Sequence, residues 1–148
     1  MSRLRPLVVV TAAAALTFTG LSSASADERG RGHGVRADIV SISDDAKVND
    51  RCRIRVEATY ECWGKARDIT TTVTLTQRSS GARYDAEVTG GLDCDGDEHT
   101  QVVRLDKDGR DRVRNGDAKV TWEYSTDHKR LDKERQWVDV RGAGKGHR

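Results

Sequence analysis

Three cysteines, Cys52, Cys62 and Cys94, are the most reactive side chains in the sequence. Three thiols allow at most one intramolecular bond and leave one over. Between the first two, Cys52, Ile54, Val56, Ala58, Tyr60 and Cys62 alternate with Arg53, Arg55, Glu57, Thr59 and Glu61. That strict period of two predicts a strand with one buried face. A continuous strand holds the two sulfurs roughly 33 Å apart, whereas a bridge needs Cα atoms about 4.4–6.8 Å apart. Cys52–Cys62 is thereby excluded, and Cys94 pairs with one of the two. Cys62, at the strand's end near Gly64, is the favoured partner. Closing a loop of about 32 residues stabilises by roughly 3–4 kcal/mol in the chain-entropy picture. Cys52 is then left as a small buried apolar group, the alternatives being a reactive thiol or an intermolecular bridge.

Asp93-Cys94-Asp95-Gly96-Asp97-Glu98 is the densest acidic cluster. Carboxylates at alternate positions around a glycine suit calcium, which takes about six to eight oxygens on a turning backbone. An EF-hand loop opening at Asp93 needs its bidentate acid where Arg104 stands, and its glycine comes too early. A looser site would draw on Asp106 or Asp108; the plainer reading is a solvated acidic turn beside a disulfide. Of the four histidines, His33 and His147 lie near the ends, His99 adjoins the acidic turn, and His128 sits in a charged stretch. No two have the spacing of a zinc site, and no nucleophile elbow, phosphate-binding glycine loop or Cys-x-x-Cys pair occurs. The expectation is no metal, no cofactor and no catalytic residue: not an enzyme.

What remains is surface. Arg51, Arg53 and Arg55 line one face of the long strand, and Trp63 and Trp137 fall on nominally outward positions. These five form a possible binding patch, since exposed aromatics and arginines anchor interfaces. The duller alternative has the tryptophans turned inward by a bulge or covered by arginine stems. Trp122 shares a face with Val120 and Tyr124 and belongs to the core.

Seven stretches read as strands able to position these groups: 37–43, 51–63, 68–77, 82–89, 99–106, 117–125 and 135–141. The third alternates Ile69, Thr71, Val73 and Leu75 with Thr70, Thr72, Thr74 and Thr76, a β-branched outer face that fits the pleat. Turn residues separate the strands at Ser79-Ser80-Gly81, Gly90-Gly91, Asp108-Gly109 and Asn115-Gly116. Thr126–Glu134 suits a helical turn or a long hairpin loop equally. Short strands at this spacing predict an all-β fold, a single antiparallel β-sandwich of about seven strands over residues 37–141.

Residues 1–26 have the form of a secretory signal peptide: Arg3 and Arg5, an apolar run from Leu7 to Leu21, then Ala24-Ser25-Ala26. The run is shorter than the roughly 20 residues of a membrane helix, so a secreted, extracellular chain without a membrane anchor is expected. Of 148 residues with net charge +2, Arg3 and Arg5 supply the whole excess, leaving 24 basic and 24 acidic residues. Net zero argues against a generally basic nucleic-acid binder. It still allows a dipolar chain, with arginines at Arg51–Arg55 and acids at Asp93–Glu98. Residues 27–36 and 142–148 are rich in glycine and charge and read as flexible tails.

Tyr60-Glu61-Cys62, Cys94-Asp95-Gly96-Asp97-Glu98-His99 and Gly116-Asp117-Ala118 give the chain from Ala37 to Arg141 a resemblance to a family. It resembles small secreted actinobacterial (Streptomyces-like) proteins with a single immunoglobulin-like domain of unknown function. The resemblance implies an immunoglobulin-like fold and a cysteine pair at Cys62 and Cys94, and it brings no activity. Cys52 and the wealth of Arg and Asp depart from it. The functional expectation is a non-catalytic extracellular interaction module, monomeric, with an extracellular protein or cell-wall component as partner. A hydrolase inhibitor presenting a basic loop, at Lys129-Arg130 or Gly64-Lys65, is the alternative. A small-ligand carrier is a third reading, for which the apolar content leaves little lining.

Overall fold

A computed structural model describes residues 34–49 and 53–144. The expected leader, most of the N-terminal tail, Arg51, Cys52 and the last four residues lie outside the described residues. Eight strands follow in order: β1 (Arg36–Ile42), β2 (Asp45–Val48), β3 (Ile54–Trp63), β4 (Thr70–Gln77), β5 (Ala82–Thr89), β6 (Asp95–Asp108), β7 (Gly116–Ser125) and β8 (Arg130–Arg141). A 3-10 turn at Ala66–Asp68 precedes β4. The period-two reading holds best in β3, β4 and β7, where buried and part-exposed residues alternate along the whole strand.

The fold is all-β, but it is not a plain antiparallel sandwich. Pairing runs β1-β3-β2-β8-β7-β4-β5-β6, and β6 pairs again with β3, so seven strands close into a ring with β1 added along β3. Three of its seams are narrow: among the described residues β2 meets β3 at Lys47↔Arg55 and Val48↔Ile54, β2 meets β8 from Asp45↔Asp139 to Lys47↔Arg141, and β5 meets β6 from Arg83↔Asp108 to Asp85↔Asp106. The β2–β8 pairing is parallel. β1 and β2 lie against successive parts of the same strand, β3.

Three boundaries differ from expectation for identifiable reasons. β2 offers a single buried apolar residue, Ala46, so no period announces it. Thr126–Glu134 is neither helix nor long loop: Thr126 and Lys129 exchange backbone hydrogen bonds of 2.8 and 3.3 Å, and β8 starts at Arg130. β6 starts at Asp95 rather than His99, because the acidic segment pairs with the end of β3.

The ring is filled by Trp122, Tyr84, Tyr124, Ile54, Leu75 and Leu105, all fully buried. Burying an apolar side chain of this size is worth about 1.5–3 kcal/mol. Two polar groups inside are satisfied by other parts of the chain. The Gln77 amide donates to Arg114 O (2.8 Å) and accepts from Arg114 N (2.8 Å) and Ser80 Oγ (2.7 Å), pinning the β6–β7 connection. Tyr124 OH donates to Gln101 Oε1 (3.2 Å), whose amide donates to Thr71 Oγ1 (3.2 Å).

Candidate functional site

The start of β3 sets Ile54 into the core and turns Arg53 and Arg55 outward. Each guanidinium holds a carboxylate: Arg53 Nε lies 2.9 Å from Asp106 on β6 and Arg55 2.8 Å from Glu57. Register supplies what sequence spacing does not. Arg55 faces Arg104 on β6 and, on its other side, Lys47 on β2. Lys47 in turn is in register with Arg141 on β8. Four cations therefore stand in one row across four strands, at about 4.7–4.9 Å per strand. Arg141 is paired with Asp139 (2.9 Å) and Asp45 (3.2 Å). Among the described residues, neither Lys47 nor Arg104 has an ion-pair partner.

These side chains border a concavity of about 460 Å³ at the β2–β3 seam, lined by Lys47, Asn49, Arg53, Arg55 and Arg104 with the edges of Val48 and Ile54. Asn49 frames it: its Oδ1 accepts the Arg53 amide at 2.9 Å, and its own amide donates to Arg53 O at 3.0 Å. Gly142 (φ 84°) closes on the same corner, where a Cβ would stand 3.0 Å from the carbonyl oxygen of Val48.

The structure joins only part of the sequence-derived patch. Arg53 and Arg55 belong to this basic corner, and Arg51 lies outside the described residues. Trp63 is at the far end of β3, part-exposed. The Arg36 guanidinium lies 5.1 Å from its ring centroid, and Gly96 packs so close that an added Cβ would stand 2.7 Å from its Nε1. Trp137 is 59% exposed on β8, opposite Lys119 of β7. Lys47, Arg104 and Arg141 escaped the sequence reading. The one available signal was Arg104's outward parity beside Val102.

The acidic segment occupies the opposite end of the β3–β6 ladder, with Glu98 facing Glu61 and Asp95 facing Trp63. The Cys62–Cys94 disulfide is present here, Cα atoms 4.3 Å apart, stapling β3 to the approach of β6. His99 Nε2 is 2.8 Å from Asp95 Oδ1, and this hydrogen bond raises the imidazole's pKa. Asp95 is held below the usual carboxylate range, first by the Asp97 backbone N–H (2.9 Å) and then by His99. Tyr60 accepts the Asp93 amide at 2.9 Å, and burial raises its pKa. Gly96 (φ 95°) sits at a strand irregularity under Trp63. Asp106 and Asp108 stand at the other end of β6, roughly 36–43 Å along the strand from Asp95. Among the described residues, no group of three or more His, Cys, Asp or Glu is placed to hold a metal ion.

No family model matches the chain. No curated protein matches it either. Among solved structures it is similar to the CARDB domain of a Pyrococcus furiosus protein, solved in complex with di-metal ions. That match has 10% identity and a TM-score of 0.36, over 72% of this chain and 87% of the other. An immunoglobulin-like protein from Pseudomonas aeruginosa matches at 12% identity and a TM-score of 0.34, over 73% and 92%. Likenesses this distant carry no weight for what this chain does. Among the described residues, no helix is long and apolar enough to cross a membrane.

Proposed function

We propose that this protein is a secreted, non-catalytic, immunoglobulin-like interaction module. Its partner is an anionic cell-wall component, which it engages through the basic outer face of β2, β3 and β6. The row Arg141–Lys47–Arg55–Arg104 carries the reading. Like charges directly opposite one another destabilise a sheet, so a row of four is a stability cost that a ligand can offset. The Cys62–Cys94 bridge fits an oxidising compartment, and the leader-like first 26 residues fit export.

The test is co-sedimentation with washed actinobacterial cell envelopes. Saturable binding that K47E/R104E abolishes and K129E leaves intact is the expected result. Binding that is absent, or indifferent to K47E/R104E, refutes the reading.

A further inference from the structure

The concavity at the β2–β3–β6 corner has features that narrow its ligand beyond an anionic surface. Its cations are Lys47, Arg53, Arg55 and Arg104. Two of them already hold carboxylates of the chain itself, Arg53 with Asp106 and Arg55 with Glu57. The unmatched charge is that of Lys47 and Arg104, which flank Arg55 from opposite sides through the β2–β3 and β3–β6 registers. Among the described residues, the excess is therefore two positive charges beside one hollow.

Donor geometry separates the candidate anions. A planar carboxylate presents two oxygens and suits one guanidinium fork, and such pairs are already made within the chain. The free donors are the Lys47 ammonium, the Arg104 fork and the remaining N–H groups of Arg53 and Arg55. They approach from three strands, so an acceptor with oxygens in several directions uses more of them. A phosphomonoester has three terminal oxygens and a charge of about −1.5 to −2 at neutral pH. A sulfate ester has the same shape with about one negative charge, and so meets half of the excess.

We infer that the concavity lined by Lys47, Arg53, Arg55 and Arg104 is a binding site for a phosphate group carrying two negative charges. The inference rests on the interaction reading above and names the chemistry of its partner.

The test is titration of the protein with methyl phosphate, followed by NMR at the backbone amides and the arginine Nε–H groups. Ionic strength is held constant with chloride at pH 7.5, and methyl sulfate, acetate and poly-glutamate serve as comparators. The expected result is saturable shifts centred on Arg53, Arg55 and Arg104, with methyl phosphate binding about tenfold tighter than methyl sulfate. K47Q and R104Q should each weaken it by about fivefold, with K129Q unchanged and the spectra otherwise those of the folded protein. Affinity should fall as pH drops below about 6, where the phosphate takes up its second proton.

Inorganic phosphate and a polysaccharide chain bearing phosphomonoester groups identify the source. A chain binding much more tightly than the single ion assigns a phosphorylated polymer, and equal binding assigns a lone phosphate. Shifts that do not saturate, that are equal for methyl phosphate and methyl sulfate, that favour poly-glutamate, or that survive K47Q and R104Q overturn the inference. Envelope binding that still depends on Lys47 and Arg104 while no phosphate probe binds would sink the phosphate assignment and leave the interaction reading standing.

Discussion

Arg55 and Arg104 stand directly opposite each other across the antiparallel β3–β6 ladder. Neither neutralises the other, and Arg55 turns along its own strand to Glu57 at 2.8 Å. Directly opposed like charges on a sheet cost roughly 0.2–1 kcal/mol. R104E should therefore stabilise the protein by about 0.5 kcal/mol, seen as a higher denaturant midpoint at unchanged slope, while it weakens binding to envelopes. A variant that loses both stability and binding would show Arg104 to be a structural residue instead.

The disulfide gives a larger effect. Cys62 and Cys94 are separated by 32 residues, and releasing a loop of that size costs about 3–4 kcal/mol. C62A/C94A should lose about that much in urea unfolding. Peptide mapping of the unreduced wild type should recover Cys62 linked to Cys94.

Two buried tyrosines should respond differently to loss of the hydroxyl. Among the described residues, Tyr84 OH is buried with no hydrogen-bond partner, whereas Tyr124 OH donates to Gln101 at 3.2 Å. An unmatched buried hydroxyl is a desolvation cost, and a matched one contributes about 1 kcal/mol. Y84F should be neutral or stabilising and Y124F destabilising by about 1 kcal/mol, with thermal melts reading both.

The His99–Asp95 pair makes stability depend on pH in a defined sense. His99 is raised by its hydrogen bond to Asp95, so its contribution is complete below the ordinary histidine value of 6.5 and is lost as pH rises through the higher folded value. Asp95 is lowered, so its contribution is present above the ordinary 3.8 and is lost as pH falls through the lower folded value. H99Q should accordingly fall short of wild type most clearly near pH 5–6, with the gap closing towards pH 8–9. Parallel wild-type and H99Q curves over that range would contradict the pairing.

Much of this protein is written in local pattern. The alternation through Ile54–Trp63 and through Ala118, Val120, Trp122 and Tyr124 states which face is buried before any partner strand is known. The same strand geometry pointed to the cysteine pairing. Lys47 was not readable, because β2 is four residues long and is a strand only through pairing with β3 and β8. Arg104 was readable as outward-facing but not as a neighbour of Arg55, since their apposition depends on a ladder between residues 49 positions apart. Thr71 was readable as inward-facing, on the face of Ile69, Val73 and Leu75, but the partners of Thr71 and Gln77, Gln101 and Arg114, come from other strands or loops.

Asp132, on β8, bears on how this fold meets others of its kind. Its Oδ2 accepts the backbone amide of Ile39 at 2.7 Å, just where β1 slips register against β3 between Ile39 and Ser41. A carboxylate seated on that amide occupies the donor that an incoming strand would need, and the register slip spoils the spacing for the donors after it. Both are devices by which a sheet margin refuses edge-to-edge growth. At this margin the chain is guarded against the polymerisation that exposed β margins invite.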